Sequence, residues 1–236
     1  MNAKQYCTHT IGYGGNTRTA MFHLKDPGSA ITHLIGFICA ILATPVLLVH
    51  AASHHVSFSG MVSLSVFMVS MILLYGASSA YHTFIVAKPT EMLLKRIDHM
   101  MIFVLIAGSY TPVCSMVLAQ PAGSILLIVI WSLALLGMLL KLCWVTCPKW
   151  FSSVIYIAMG WVCIFVLPQL YTSASRSTFV LLAVGGVIYT IGGVIYALKL
   201  RVFNARFPKF GSHEVFHVCV MLGSLCHYLA IAAICS

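Results

Sequence analysis

Histidines and acids placed among apolar residues are the first feature of this sequence that could carry chemistry. His213 and His217 are four residues apart, so on a helix their side chains project from the same face. His82 offers a third imidazole from a distant segment. Three histidines with an open fourth position are typical of a catalytic zinc site. We predict that His82, His213 and His217 bind Zn²⁺.

Two further residues could act on a substrate beside such a metal. Asp98 is an ionisable group in an apolar region, where it could hold or deprotonate a water molecule. Ser78 precedes His82 by four residues, so its hydroxyl lies one turn away on the same face and could stabilise an oxyanion. Each has an ordinary explanation, because an acid suits the first turn of a helix and a serine can bond a backbone carbonyl. Only the occurrence of both residues beside the three histidines favours a catalytic site.

The remaining polar residues leave alternatives open. His213, Glu214 and His217 match the H-E-x-x-H pattern of zinc proteases, in which the glutamate is the general base. His227 lies ten residues beyond His217, about 15 Å along a helix, which is too far to share that metal. His33 is a possible supporting group for the ligands. His99, the neighbour of Asp98, points about 100° away from it on a helix and has no predicted role.

Membrane helices are the elements that must position these residues. Of 236 residues, 61% are hydrophobic and 7% are charged, whereas soluble domains carry about 25% charged residues. The composition predicts an all-α, polytopic membrane protein with a seven-transmembrane-helix bundle at 26–236, after an N-terminal tail at 1–25. Runs of the roughly 20 apolar residues that a bilayer requires occur near 29–50, 58–82, 97–119, 123–141, 150–170, 178–198 and 213–234.

The basic residues predict how this bundle is oriented. Of 13 lysines and arginines, all except Arg176 fall in the tail or in the second, fourth and sixth loops. The positive-inside rule therefore predicts a cytoplasmic N-terminus and a C-terminus outside, with the three histidines and Asp98 at cytoplasmic helix ends. The net charge of +9 is then explained by membrane orientation and by contact with anionic lipids. It does not indicate nucleic-acid binding. We expect a cell-membrane location, while the sequence leaves the oligomeric state open.

Several segments together resemble the hemolysin III family, the bacterial branch of the progestin and adipoQ receptor family. The resemblance implies a seven-helix bundle in which His82, His213 and His217 bind zinc, Asp98 holds water, and Ser78 lies beside the first ligand. The receptor branch is similar to alkaline ceramidases, which implies hydrolysis of lipid amides. The family's acid near the first span corresponds to Asp26, for which we predict no role. The matching segments are 26–33, 78–82, 96–99, 107–112, 213–217 and 226–227.

These observations predict a zinc-dependent hydrolase of lipid amide or ester bonds that acts in membrane lipid homeostasis. The main alternative is a non-enzymatic membrane sensor, or receptor-like regulator, in which zinc is structural. A cytolysin, an intramembrane zinc protease that uses Glu214, and a transporter rank behind these two. Pro45 and Pro112, inside predicted spans, keep the transporter open, although no inverted repeat is visible.

Overall fold

Seven apolar helical segments make up the structure, a computed structural model that describes residues 24–198, 205–206 and 210–236. Each segment is long and apolar enough to cross a membrane. The predicted all-α polytopic bundle is therefore confirmed, and the described ranges contain no strand. The predicted tail lies almost wholly outside these ranges, as do five of the counted basic residues, namely Lys4, Arg18, Lys199, Arg201 and Lys209.

The helices follow the predicted apolar runs. The fifth span combines α5, a 3₁₀ segment and α6, while each other span is one helix. Their bounds are α1 Pro27–Ser53, α2 Phe58–Thr83, α3 Lys88–Met116, α4 Ala122–Cys143, α5 Lys149–Gly160, the 3₁₀ segment Trp161–Val166, α6 Leu167–Ser173, α7 Arg176–Leu198 and α8 Ser212–Ile234.

The third helix begins nine residues before the predicted start of its span, at Lys88. Pro89 suits the first turn, because a backbone N–H there has no partner within the helix, and Glu91 suits the positive end of the helix dipole. Asp98 therefore lies ten residues beyond the start of α3. The prediction that it occupies a first turn is wrong, and the helix dipole does not explain this acid.

The fifth span is interrupted just before Pro168. Proline has no N–H to donate to the carbonyl one turn earlier, and a 3₁₀ segment precedes it. Tyr110 of α3 supports the interruption. Its hydroxyl donates to the carbonyl of Gly160 at 2.5 Å and accepts from the N–H of Cys163 at 3.0 Å. These bonds pair backbone N–H and C=O groups that could form no hydrogen bond with lipid.

Helices that are consecutive in sequence pack side by side from α1 to α4, and α8 closes the bundle by packing between α1 and α7. Glycines of α7 permit close approach of the neighbouring helices. Gly185 and Gly192 face α8, and Gly193 faces α5. Gly186 has no such neighbour within 4 Å of its Cβ position and lines a cavity instead.

Lys141 was counted among the loop charges, but it lies inside α4 and is fully buried. Its ammonium group donates to the hydroxyl of Ser152 at 2.5 Å and to the sulfur of Cys147 at 3.0 Å. Burial by itself would raise the pKa of the Cys147 thiol, but the hydrogen bonds from Lys141 and Ser152 hold that pKa below its ordinary value. This cluster joins the end of α4 to the beginning of α5.

Candidate metal centre

Three histidines from two distant segments meet at one end of the bundle. His82 ends α2, whereas His213 and His217 occupy the first turns of α8. Each offers one ring nitrogen, and these three nitrogens lie within 4.8 Å of one another. His82 and His217 are buried and His213 is half-buried. The structure therefore brings together the three residues that the sequence predicted as ligands.

The spacing of the rings fits a shared metal ion. Two nitrogens held 2.0–2.1 Å from a tetrahedral zinc ion lie about 3.3 Å apart. The Nε2 atoms of His82 and His213 are 3.3 Å apart, and the ring centroids of His213 and His217 are 4.6 Å apart. Neutral imidazoles are ligands that zinc prefers. The donor set and its spacing are compatible with a zinc ion between α2 and α8.

Asp26, for which the sequence predicted no role, holds the first of these ligands. Its Oδ2 lies 2.9 Å from Nδ1 of His82, and its backbone N–H donates to the carbonyl of His82 at 3.0 Å. A carboxylate on one ring nitrogen fixes the proton there and leaves the other nitrogen free to bind a metal. Because Nε2 of His82 faces His213, Asp26 orients the ring correctly for the proposed ion.

The neighbouring residue anchors the segment that carries Asp26. The Lys25 ammonium lies 2.9 Å from Oε1 of Glu91 in α3 and 3.7 Å from the centre of the Tyr81 ring. Burial acts against the charged form, but Glu91 and Tyr81 raise the pKa of Lys25 above its ordinary value. We call Lys25 and Asp26 the N-terminal strap, since they tie the chain before α1 to α2 and α3.

Replacing Asp26 with asparagine should weaken zinc binding about tenfold, within the range of roughly 10–100-fold found when partners of metal ligands are removed. The amide keeps the size of the side chain but loses the charge that fixes the His82 ring. Titration of the purified protein with zinc against a competing chelator measures the change. Lys25→Gln is the matched control, because it loosens the strap without touching His82. Equal weakening in both variants would show that Asp26 acts only by docking the strap.

His33 supports the ligands from α1, as the sequence suggested. Its ring stacks on that of His217, with centroids 3.7 Å apart and planes 14° from parallel. The edge of Tyr75 covers it from another side, with centroids 5.1 Å apart. Neither His33 nitrogen has a hydrogen-bond partner among the described residues. The stacking restricts rotation of the His217 ring and so preserves its direction.

Asp98 and Ser78 are both buried beside the histidines, as predicted. The Asp98 carboxylate interacts electrostatically with His82 and His217, and its Oδ2 lies 3.2 Å from Nδ1 of His99. His99 thus contacts the acid although it was expected to point away. Ser78 is 1% exposed, and its hydroxyl has no partner within the described ranges. The ordinary explanation, a bond to a carbonyl one turn back, therefore fails for Ser78.

Glu214 is occupied by structural hydrogen bonds. Its Oε1 accepts from the hydroxyl of Ser29 in α1 at 2.9 Å. Its Oε2 accepts from the backbone N–H of Gly211 at 2.8 Å, which caps the start of α8. Both oxygens are engaged, so this carboxylate joins α1 to α8 and is poorly placed to act as the general base of a zinc protease.

A largely apolar cavity begins beside the histidines and extends into the bundle. Its volume of about 380 Å³ falls within the range of roughly 300–1,000 Å³ for small-molecule sites. Its lining includes Asp98, Ser78 and His217, together with apolar and aromatic residues from α2, α3, α5, α6, α7, α8 and the 3₁₀ segment. The cavity could therefore place a hydrocarbon chain inside the bundle and a polar group beside the histidines.

Comparisons with known proteins agree with this architecture. A family model described as "Haemolysin-III related" matches residues 22–228. The chain belongs to the haemolysin III family. It is 37% identical over 216 residues to the "Hemolysin-3 homolog" of Bacillus subtilis (strain 168), which covers 91% of this chain and 97% of that one. It is 35% identical over 215 residues to "Hemolysin-3" of Bacillus cereus, which covers 91% and 94%. No solved structure matches the chain closely enough to count as a relative.

Membership of the haemolysin III family confirms the resemblance seen in the sequence. Together with the seven apolar helices, it makes this chain a multi-pass protein of the cell membrane. One cavity-lining residue of this family member escaped sequence reasoning. Ser153 of α5 is 1% exposed, and its hydroxyl has no partner in the described part of the chain. The serine pair at 152–153 inside an apolar run was the signal that could have revealed it.

Proposed function

We propose that this haemolysin III protein is a zinc-dependent hydrolase of lipid amide or ester bonds. One observation carries the proposal. Three histidines with metal-binding spacing lie beside an apolar cavity inside a membrane bundle, and the cavity lining includes a buried carboxylate and a hydroxyl that has no partner among the described residues. Such a cavity suits an acyl chain drawn from the leaflet, and the polar end suits the carbonyl to be cleaved.

His82, His213 and His217 would hold the zinc ion. When bound there, the ion would supply Lewis acidity, which polarises a carbonyl and makes water more acidic. Asp98 acts as the general base, since it is a buried carboxylate in electrostatic contact with two of these histidines. Its orientation is restrained by His99. The apolar lining excludes bulk water, which strengthens every charge interaction at this end of the cavity.

Ser78 contributes a hydrogen bond to the developing oxyanion. Its hydroxyl is buried without a partner in the part of the chain that the structure describes, so a negatively charged oxygen nearby would gain a donor that no described group competes for. Asp98 would take a proton from the water molecule whose oxygen bonds to the substrate carbonyl carbon, while Ser78 donates to the carbonyl oxygen. The amide or ester bond then breaks, and Asp98 returns the proton to the amine or alcohol that leaves. The test is release of fatty acid from lipid amides and esters by the purified, zinc-loaded protein, measured by mass spectrometry. Absence of release from every lipid class, with zinc bound, contradicts the proposal.

A second function is a membrane sensor in which the metal is structural, and one packing feature favours it. The α2 and α8 helices make little direct backbone contact with each other, so an ion held by His82 and the two α8 histidines would bind them together. Membrane composition could then change how α2 and α8 pack against each other. The two functions differ in their need for Asp98, which the sensor can lose without effect.

A further inference from the structure

A cluster of polar side chains at the junction of α4 and α5 takes no part in the proposed lipid chemistry. Lys141, near the end of α4, is fully buried. Its ammonium group donates to the sulfur of Cys147 at 3.0 Å and to the hydroxyl of Ser152 at 2.5 Å. The same sulfur lies 3.2 Å from the Ser152 hydroxyl. Each of the three side chains therefore contacts the other two.

Within the described ranges, the buried ammonium group has a single ionisable group at hydrogen-bond distance, the Cys147 thiol. The chain contains only four aspartates and glutamates, and none of them forms an ion pair with Lys141 in the described residues. The centre of the Tyr156 ring lies 5.7 Å from its nitrogen, which suits a cation but does not neutralise it. Because a buried charge requires an opposite charge, Cys147 is the group that can balance Lys141 by losing its proton.

The hydrogen bonds at the sulfur favour this thiolate form. Burial acts to raise the pKa of the Cys147 thiol, but the bonds from Lys141 and Ser152 hold that pKa below its ordinary value. The thiolate is the form of cysteine that attacks electrophiles and oxidants. A cationic neighbour is also what distinguishes reactive cysteines from inert buried ones. Cys147 therefore has the surroundings of a reactive thiol.

Cys147 lies close enough to the protein surface for a small reagent to reach it. It belongs to the loop between α4 and α5, and its neighbours Thr146 and Pro148 are exposed. Cys147 itself is 8% exposed, so a bulky reagent is disfavoured. Loops also move more than the helices that they connect. These features suit a small oxidant such as hydrogen peroxide.

We propose that Cys147 is a site of oxidation by small hydroperoxides, with Lys141 as the proton donor. The Cys147 sulfur bonds to one oxygen of hydrogen peroxide as the O–O bond breaks, so sulfur loses two electrons and the peroxide gains them. The hydroxide that leaves takes a proton from the Lys141 ammonium group and becomes water. The products are a sulfenic acid at Cys147 and a neutral amine at Lys141. This site does not depend on the proposed hydrolase or on a metal ion.

Exposure of the purified protein to hydrogen peroxide tests this site directly. After a short reaction, the protein is denatured in dimedone, which adds to sulfenic acids, and mass spectrometry measures the modified fraction at each cysteine. Cys143 is the internal control, because it is exposed and lies only four residues away. Cys147 should be modified at least about fivefold faster, as its larger thiolate fraction requires. Equal or faster modification of Cys143 overturns the proposal.

A Lys141→Met variant should slow the oxidation of Cys147 by at least about fivefold, because methionine fills similar space without the charge that stabilises the thiolate. Lys88→Met is the matched control. It removes the same charge at the start of α3, where the ammonium group contacts Glu91, and it should leave the rate at Cys147 unchanged. An unchanged rate in Lys141→Met contradicts the proposal. If Lys141→Met does not fold, the relative rates at Cys147 and Cys143 in the unaltered protein give the answer.

Discussion

Alanine at His82, His213 or His217 is expected to remove most of the zinc that the purified protein binds. Each substitution deletes one of three nitrogens that lie within 4.8 Å of one another, and two ligands hold zinc poorly. Loss of an outer partner already costs roughly 10–100-fold in affinity, so loss of a ligand should cost more than 100-fold. Metal analysis of protein purified in detergent, normalised to protein mass, measures the effect.

The matched control for these variants is His227→Ala. His227 occupies the same helix as two of the ligands, yet it does not belong to the metal-binding group. This variant should keep its full zinc content. Anomalous scattering at the zinc edge would locate the ion independently. A full zinc content in all three ligand variants would place the metal elsewhere and remove the basis of the hydrolase.

Asparagine at Asp98 is expected to abolish lipid hydrolysis while zinc content and folding remain. The amide preserves the shape of the side chain but cannot accept a proton, and general-base catalysis is worth about 10²–10⁴-fold. Fatty acid release should therefore fall by at least about 100-fold. Thermal unfolding and metal analysis of the same preparation would show that the bundle and the ion are intact.

Glu214→Gln separates this result from the protease alternative. The glutamine oxygen can still accept one of the two bonds from Ser29 and Gly211, so turnover should change little, with at most some loss of stability. A zinc protease that uses Glu214 predicts the opposite pattern, with loss in Glu214→Gln and retention in Asp98→Asn. A sensor with structural zinc predicts that Asp98→Asn leaves function unchanged.

The helices and the histidine cluster were predictable because lipid imposes simple rules. A span requires a long apolar run, so all seven runs could be located from composition. His213 and His217 share a helix face by spacing alone, and both structure and sequence bring His82 to the same end of the bundle. The start of α3 was missed because its first turns carry Lys88, Glu91 and other polar residues, which read as a loop when hydropathy is the only guide.

Contacts between distant segments were the part that the sequence could not provide. Asp26 and His82 are 56 residues apart, and no spacing rule links an acid before one helix to a ring at the end of the next. Glu214 looked like a catalytic base, and only its bonds to Ser29 and Gly211 show that it caps a helix. Likewise, the hydrogen bonds that support the interruption of the fifth span come from Tyr110 in the distant helix α3.

The N-terminal strap makes the orientation of the His82 ring depend on the number of residues between Asp26 and α1. Asp26 pairs with His82 through its backbone and again through its side chain, and α1 begins at the next residue. Inserting or deleting a single residue between the strap and α1 would shift the carboxylate relative to the ring even if every helix kept its place. Protein engineers who graft sensors or tags near this junction should therefore leave the spacing from Lys25 to Pro27 untouched.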